Sequence, residues 1–204
     1  CRVCESGYVQ IAGPVATADT KRMCRQMFGL GVDLILIDGA IDRKSIASPE
    51  TSDAIILSTG AVLSRSLRTV VNETSHIVSL YSLPELEDGD IRVLIEEHLS
   101  DDRIMTVKNG EMRQLDLRTG LGAGRFIDEA IDEETQYVYI PGAFTGSVIA
   151  DIEPAKFKRT QFVLKDPTKI FVDSITWRQY LKKGFSIRVL KNIEVAAVTV
   201  NPFA

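Results

Sequence analysis

"LILIDGAIDRKSIASPETSDAIILSTGA", Leu34 to Ala61, is the stretch on which the fold reading turns. Its two ends, "DLILID" (33–38) and "DAIILST" (53–59), are runs of consecutive large apolar residues, the pattern of strands buried on both faces of a parallel sheet. Each run stops at a small, turn-forming triplet, Asp38-Gly39-Ala40 and Thr59-Gly60-Ala61, and Pro141-Gly142-Ala143 repeats the device. Open α/β sheets bind ligands in the crevice beyond the carboxyl ends of such strands. The intervening loop carries Asp42, Arg43, Lys44 and Ser45 and is too long for a simple turn, a length more often functional than idle.

Working outward, "GYVQIAGP" (7–14) reads as a short strand, and 17–28 as a helix with Met23, Met27 and Leu30 on one face. Residues 61–77 place Leu63, Leu67, Val70 and Val71 on one stripe, which predicts a helix whose N-terminus lies at Thr59-Gly60. The acidic, Pro- and Gly-containing segment 82–90 predicts a boundary between a first domain, residues 1–84, and a second, residues 90–204. The second half opens with a helix in 90–99. A hairpin follows, turning at Asn109-Gly110, a pair suited to a type I′ turn. Helices over 126–133, 145–152 and 174–183, the last capped by Ser174, alternate with strands in "YVYIPG", "QFVLKD", "KIFVD", "SIRVL" and "AAVTV". Alternation in both halves predicts an α/β protein. Its first part is a mostly parallel layered sheet resembling half of a P-loop NTPase, and its second an α/β domain with a β-hairpin.

The chain has 204 residues and 45% hydrophobic content, enough for a substantial core. Lys and Arg number 24 against 28 Asp and Glu, without a basic block, which gives a nucleic-acid surface no compositional support. No apolar run reaches the roughly 18 residues of a bilayer span, and no signal-peptide pattern appears, so a cytoplasmic protein is predicted. A start at Cys1 and a stop just after an apolar strand predict a piece of a longer protein. Cys1 and Cys4 form a C-x-x-C, but the chain has no second paired motif for zinc.

Asp38 is the sharpest candidate. A lone carboxylate after four apolar residues is how a Walker B strand presents Asp to Mg²⁺; the alternative is a carboxylate capping the turn at Gly39. In the loop of Asp42, Arg43, Lys44 and Ser45, the Arg and Lys could reach phosphate or carboxylate oxygens, Arg bidentately, the alternative being a solvated loop. Thr59 and Gly60 offer backbone N–H groups for an anion. "TGLGAGRF" (119–126) has glycines at G-x-G-x-G spacing, which departs from the G-x-G-x-x-G fingerprint and reads first as a connection. His76 and His98 lack partners at fixed spacing and read as structural.

"GYVQIAGP", "GVDLILIDGAIDRKSIASP", "DAIILSTGAVLSRS", "LKDPTKIFV" and "AAVTVNPF" together resemble the reactivase-associated proteins that accompany the adenosylcobalamin- and pyridoxal-phosphate-dependent lysine 5,6-aminomutase. The resemblance runs through most of the chain, with "IDGAIDRKSIASP" its most specific part. It implies a phosphate loop upstream of "GYVQIAGP" in longer members, with ATP and Mg bound by the full-length protein only. Asp38 would then be the metal-side carboxylate, with Gly39 to Ser52 closing over the nucleotide. The partner would be the aminomutase or a partner ATPase subunit. A non-enzymatic interaction module, and a small-molecule enzyme using the strand-end crevice, stand beside that reading.

Overall fold

Along Thr135–Ile140 the sequence TQYVYI is rich in β-branched and aromatic residues, and along Gln161–Leu164 it is QFVL. Both are strand-forming and nearly continuous in apolar side chains. In the computed structural model, which describes residues 4–7, 13, 16–38, 47–117 and 122–203, these runs lie at the middle of a five-stranded sheet. The chain is a mixed α/β protein, with 38% helix and 23% strand. It divides into two compact units, Cys1–Ile46 and Ala47–Ala204.

In the first unit, the described regular element is α1 (Thr17–Gly29), where a helix was expected. Gly31, at φ 88°, follows its end. Residues 33–38 join no strand, contrary to the expectation for "DLILID". An apolar run supplies faces for burial, but a strand exists only through a ladder with a neighbour, and these residues carry none. "GYVQIAGP" lies mostly outside the described residues.

The second unit contains β1 (Ala54–Gly60), α2 (Leu67–Tyr81), α3 (Gly89–Glu96), β2 (Met105–Lys108), β3 (Glu111–Gln114), α4 (Gly124–Ala130), β4 (Thr135–Ile140), β5 (Phe144–Thr145), α5 (Gly146–Ala150), β6 (Gln161–Leu164), β7 (Ile170–Phe171), α6 (Ser174–Lys182), β8 (Ile187–Val189) and β9 (Glu194–Asn201). The central sheet has the order β3-β2-β4-β6-β8. β4, β6 and β8 are parallel, while β2 runs antiparallel to both β3 and β4. The β2–β3 hairpin turns at Asn109 (φ 50°) and Gly110 (φ 81°), both left-handed as a type I′ turn requires.

Period-two alternation sends side chains to two separate cores. Val138, Ile140, Phe162, Leu164, Ile187 and Val189 face one side, where α2, α4, α5 and α6 contribute Leu80, Ile127, Val148, Ile149 and Trp177. Met105, Val107, Tyr139 and Val163 face the other, where α3 contributes Ile91 and Ile95 at i, i+4. The helix ends follow from named residues. Asp88 caps α3 by accepting from Ile91 N–H at 3.1 Å. Asp173, rather than the expected Ser174, caps α6 through Ile175 and Thr176 N–H; the Ser174 hydroxyl instead donates to Glu73 on α2. At the other end of α6, Gly184 (φ 90°) donates to Leu181 and Phe185 to Tyr180. This Schellman geometry turns the buried Phe185 ring into the aromatic cluster of Phe144, Phe157, Phe162 and Trp177.

The boundary expected at 82–90 falls inside the second unit, for two physical reasons. β1 pairs in parallel with the last strand, β9, so residues from both expected domains share one ladder. The segment itself is also pinned at the sheet edge. Glu85 bridges to Val189, Leu86 N–H donates to Val189 C=O at 2.9 Å, and the Glu85 carboxylate takes both Arg92 and the Asn192 N–H. No helix of the described residues is long and apolar enough to cross a membrane.

Two measurements check this packing. Phe162→Ala should lower the unfolding free energy by about 3–5 kcal/mol in urea titrations, because Phe162 is fully buried between Phe157 and Phe185. At the hairpin, bonds from Lys108 and then Thr135 hold the exposed Asp132 carboxyl down at about 2. Asp132 therefore favours the folded state above the ordinary carboxylate range and loses that contribution as pH falls from about 4 toward 2. In Lys108→Gln, carboxyl NMR should find Asp132 titrating nearer an ordinary aspartate.

Candidate functional site

The parallel strands of the second unit form three groups, β1 with β9, β4 with β6 and β8, and β5 with β7. β1 and β9 end together, Thr59 beside Val200 and Gly60 beside Asn201. Gly60 is required by close approach, since a Cβ there would lie 2.0 Å from the Asn201 carbonyl oxygen. The Thr59 hydroxyl hydrogen-bonds Thr74 on α2 at 2.8 Å, tying the strand to that helix. α2 begins only at Leu67, with Ser66 as its cap, so the helix N-terminus expected at Thr59-Gly60 lies further along the chain. Its amides donate elsewhere, Thr69 N–H to the Ser66 hydroxyl.

Asp38 is exposed and belongs to the first unit. Gly39, Asp42, Arg43 and Ser45 lie outside the described residues, as does Lys44. Of the expected set, the structure thus brings Thr59 and Gly60 together, at the end of one strand.

The second group of strand ends carries a residue that the sequence reading passed over. Asp166 follows "QFVL" of β6 after a single lysine, and it is buried. One carboxylate oxygen accepts from Ser48 Oγ at 3.0 Å; the other accepts from Thr168 N–H at 2.9 Å and from the Thr168 hydroxyl. Beside it, Lys165 pairs with Glu50. Burial, and then the Asp166 charge, push the Tyr81 phenol above its ordinary value. Residues 47–52, the distal end of the long loop, are therefore anchored on the end of β6. The signal was present in the sequence: a lone Asp closing an apolar strand, the feature that singled out Asp38. At Asp166 the carboxylate caps a turn, which is the alternative reading offered for Asp38.

The remaining motifs resolve as packing. Gly122 has φ 71°, and a Cβ on Gly124 would lie 2.5 Å from Asp151 Cβ and 2.9 Å from the Val148 carbonyl. The glycines of "TGLGAGRF" that the structure describes thus let α4 press onto α5 and its C-cap. His76 Nε2 bonds the Val172 carbonyl at 2.9 Å with its ring edge-on to Trp177, and His98 Nδ1 bonds the Leu94 carbonyl at 3.0 Å. Both are satisfied structurally. Among the described residues no group of three or more His, Cys, Asp or Glu could hold a metal ion.

What this geometry defines is a mixed α/β protein with three sets of parallel strands, one of them closed by a buried carboxylate. In comparisons with protein-family models, curated proteins and solved structures, the chain matches none.

Asp166→Ala strands the Ser48 hydroxyl and the Thr168 N–H in a buried setting and should cost about 2–4 kcal/mol in urea denaturation. Asp166→Asn keeps one acceptor oxygen, so a smaller loss is expected. Equal midpoints for wild type and both variants would remove Asp166 as an anchor.

Proposed function

We propose that this chain is part of an accessory protein in the ATP-dependent reactivation of a cobalamin-dependent aminomutase. Asp38 supplies the metal side of a nucleotide site in the full-length protein, and residues from about 90 to 204, which lie within the second unit, supply the partner-binding surface. The observation that supports this reading best is the parallel β1–β9 pair, whose strands end together at Gly60 and Asn201 as strands do in sheets that hold ligands beyond their carboxyl ends. The segment "DLILIDGAIDRKSIASP" adds an Asp after an apolar run, followed by Arg and Lys suited to phosphate oxygens. ATP and Mg²⁺ would supply the free energy for cofactor exchange. Asp38, exposed and carboxylic, suits Mg²⁺ or its bound waters. No residue here matches the Lys and Ser/Thr of a phosphate loop, so this chain alone should give little heat with Mg-ATP in calorimetry.

A second reading, a non-enzymatic interaction module, is favoured by a separate observation. Ile56 on β1, Val198 and Val200 on β9, and Leu67 and Val71 on α2 are all exposed, although parallel sheets are normally covered on both faces.

One experiment separates the two. Aminomutase holoenzyme inactivated by turnover is incubated with the full-length protein and Mg-ATP, using wild type and Asp38→Asn. Under the first reading wild type restores activity and Asp38→Asn does not, at an unchanged thermal midpoint, because Asn keeps the shape and loses the charge that holds Mg²⁺. Recovery by Asp38→Asn, or recovery without ATP, overturns the nucleotide site. Binding to the holoenzyme without recovery supports the interaction module.

A further inference from the structure

β9 pairs with β1 along one edge, and along its other edge it pairs with no strand among the described residues. Of the two strands it is the more open. Ala196 through Asn201 are exposed without interruption, whereas Ile55, Leu57 and Thr59 of β1 are half-buried. Two contacts fix which way the side chains point. Thr59 bonds Thr74 on α2, so Thr59 and its register partner Val200, with Val198 two residues earlier, face that helix. Ser58 and Thr199 share a hydroxyl contact on the opposite face. Val198 and Val200 are nonetheless 43% and 65% exposed, so α2 does not close over them. A groove of about 480 Å³ lies between helix and strand, lined by Val78 and Ser82 of α2 and by Val195, Ala197 and Val198 of β9.

The backbone direction of each residue follows from the ladder. Ala61 N–H donates to the Asn201 carbonyl at 3.0 Å, and in a parallel ladder alternate residues bond the same neighbour. Asn201 and Thr199 therefore serve β1, and Val198 and Val200 turn their N–H and C=O groups to the open edge. Native edges of this kind are blunted by Lys, Pro, an inward-pointing charge or a bulge. From Val195 to Asn201 there is no Lys, no Pro and no charge. Glu194, at the start, is the strand's one charged residue, and the one irregularity of the ladder, between Ile55 and Ile56, lies at that same end.

We propose that the open edge of β9 pairs with the same edge of a second copy of this chain, two-fold and antiparallel, in a four-stranded sheet of order β1-β9-β9-β1. Self-complementarity selects a second copy. A two-fold axis perpendicular to the sheet sets the copies antiparallel, so each Glu194 lies at the far end from the other and no like charges meet. The same axis keeps both α2 helices on one face, where Val198 and Val200 of the two copies extend a single apolar row. A charged partner strand would find one carboxylate to pair with; an uncharged strand rich in β-branched residues suits the rest, and β9 is itself such a strand. A single pair of edge strands buries less than the roughly 1,200 Å² of a stable interface, so the dimer is reversible. The inference is independent of both functional readings, which are tested on the aminomutase rather than on self-association.

The test is sedimentation equilibrium of the 204-residue chain over a concentration series, with amide hydrogen exchange measured at the lowest and highest concentrations. A reversible monomer–dimer equilibrium is expected. As concentration rises the Val198 and Val200 amides should exchange more slowly, while Thr199 and Asn201, already turned to β1, stay unchanged. Val200→Pro removes an edge N–H without touching the β1 ladder and should raise the dissociation constant at least about tenfold. Val198→Lys, at an exposed position, sets a charge on the edge, should have the same effect, and decides the question even if Val200→Pro unfolds. Thr199→Ala, on the opposite face, should dimerise as the wild type does. A chain that is monomeric at millimolar concentration, a dimer that withstands Val198→Lys, or one whose Val198 and Val200 amides keep the monomer's exchange rates would overturn the proposal.

Discussion

Burying both faces of β4 and β6 is the constraint from which the second unit follows. Val138 and Ile140 point to one core while Tyr139 between them points to the other, and Phe162, Val163 and Leu164 repeat the alternation next door. Strands apolar on both faces demand helices on both faces. α4, α5 and α6 meet that demand on one side with help from α2. On the other, α3 meets it with Ile91 and Ile95 over Met105, Val107, Tyr139 and Val163.

The two carboxylates that close apolar runs show how little local pattern says about role. Asp38 and Asp166 look alike in sequence, each an acid beyond a strand-like stretch. Asp166 is sealed by Ser48, from a segment more than a hundred residues away, and by Thr168, two residues on. Those partners make it an anchor for the loop end at residues 47–52 rather than a ligand site. Burial with full hydrogen bonding is what marks Asp166 as structural, and burial is not written in a run of four letters.

Glu85 and β9 make the same point about domain organisation. Pro, Gly and acidic residues at 82–90 have the composition of a linker. Hydrogen bonds to Val189 and Asn192 and the ion pair with Arg92 turn the segment into a sheet edge instead. β9 reaches back to β1, so a ladder joins the two parts that a linear reading separates. The cost of closing such a long loop grows only slowly with its length, so nothing local forbids the pairing or announces it.

What the sequence determined by itself is the local structure. Asn109-Gly110 imposed the hairpin through left-handed backbone, and helical periodicity placed α1 and α3 to within a few residues and marked α2, though with its start set too early. Apolar runs marked β1, β4, β6 and β8, and alternation of helix and strand set the α/β class. These depend on neighbours in the chain, whose interactions a reader can enumerate. Tertiary structure alone decided that β1 pairs with β9 and residues 33–38 with no strand. It decided that Thr59 bonds Thr74, that Gly60 lies against Asn201, and that Asp166 lies under Ser48. Each of those outcomes is a competition among partners distant in sequence, settled by which surfaces can be buried together with every polar group satisfied.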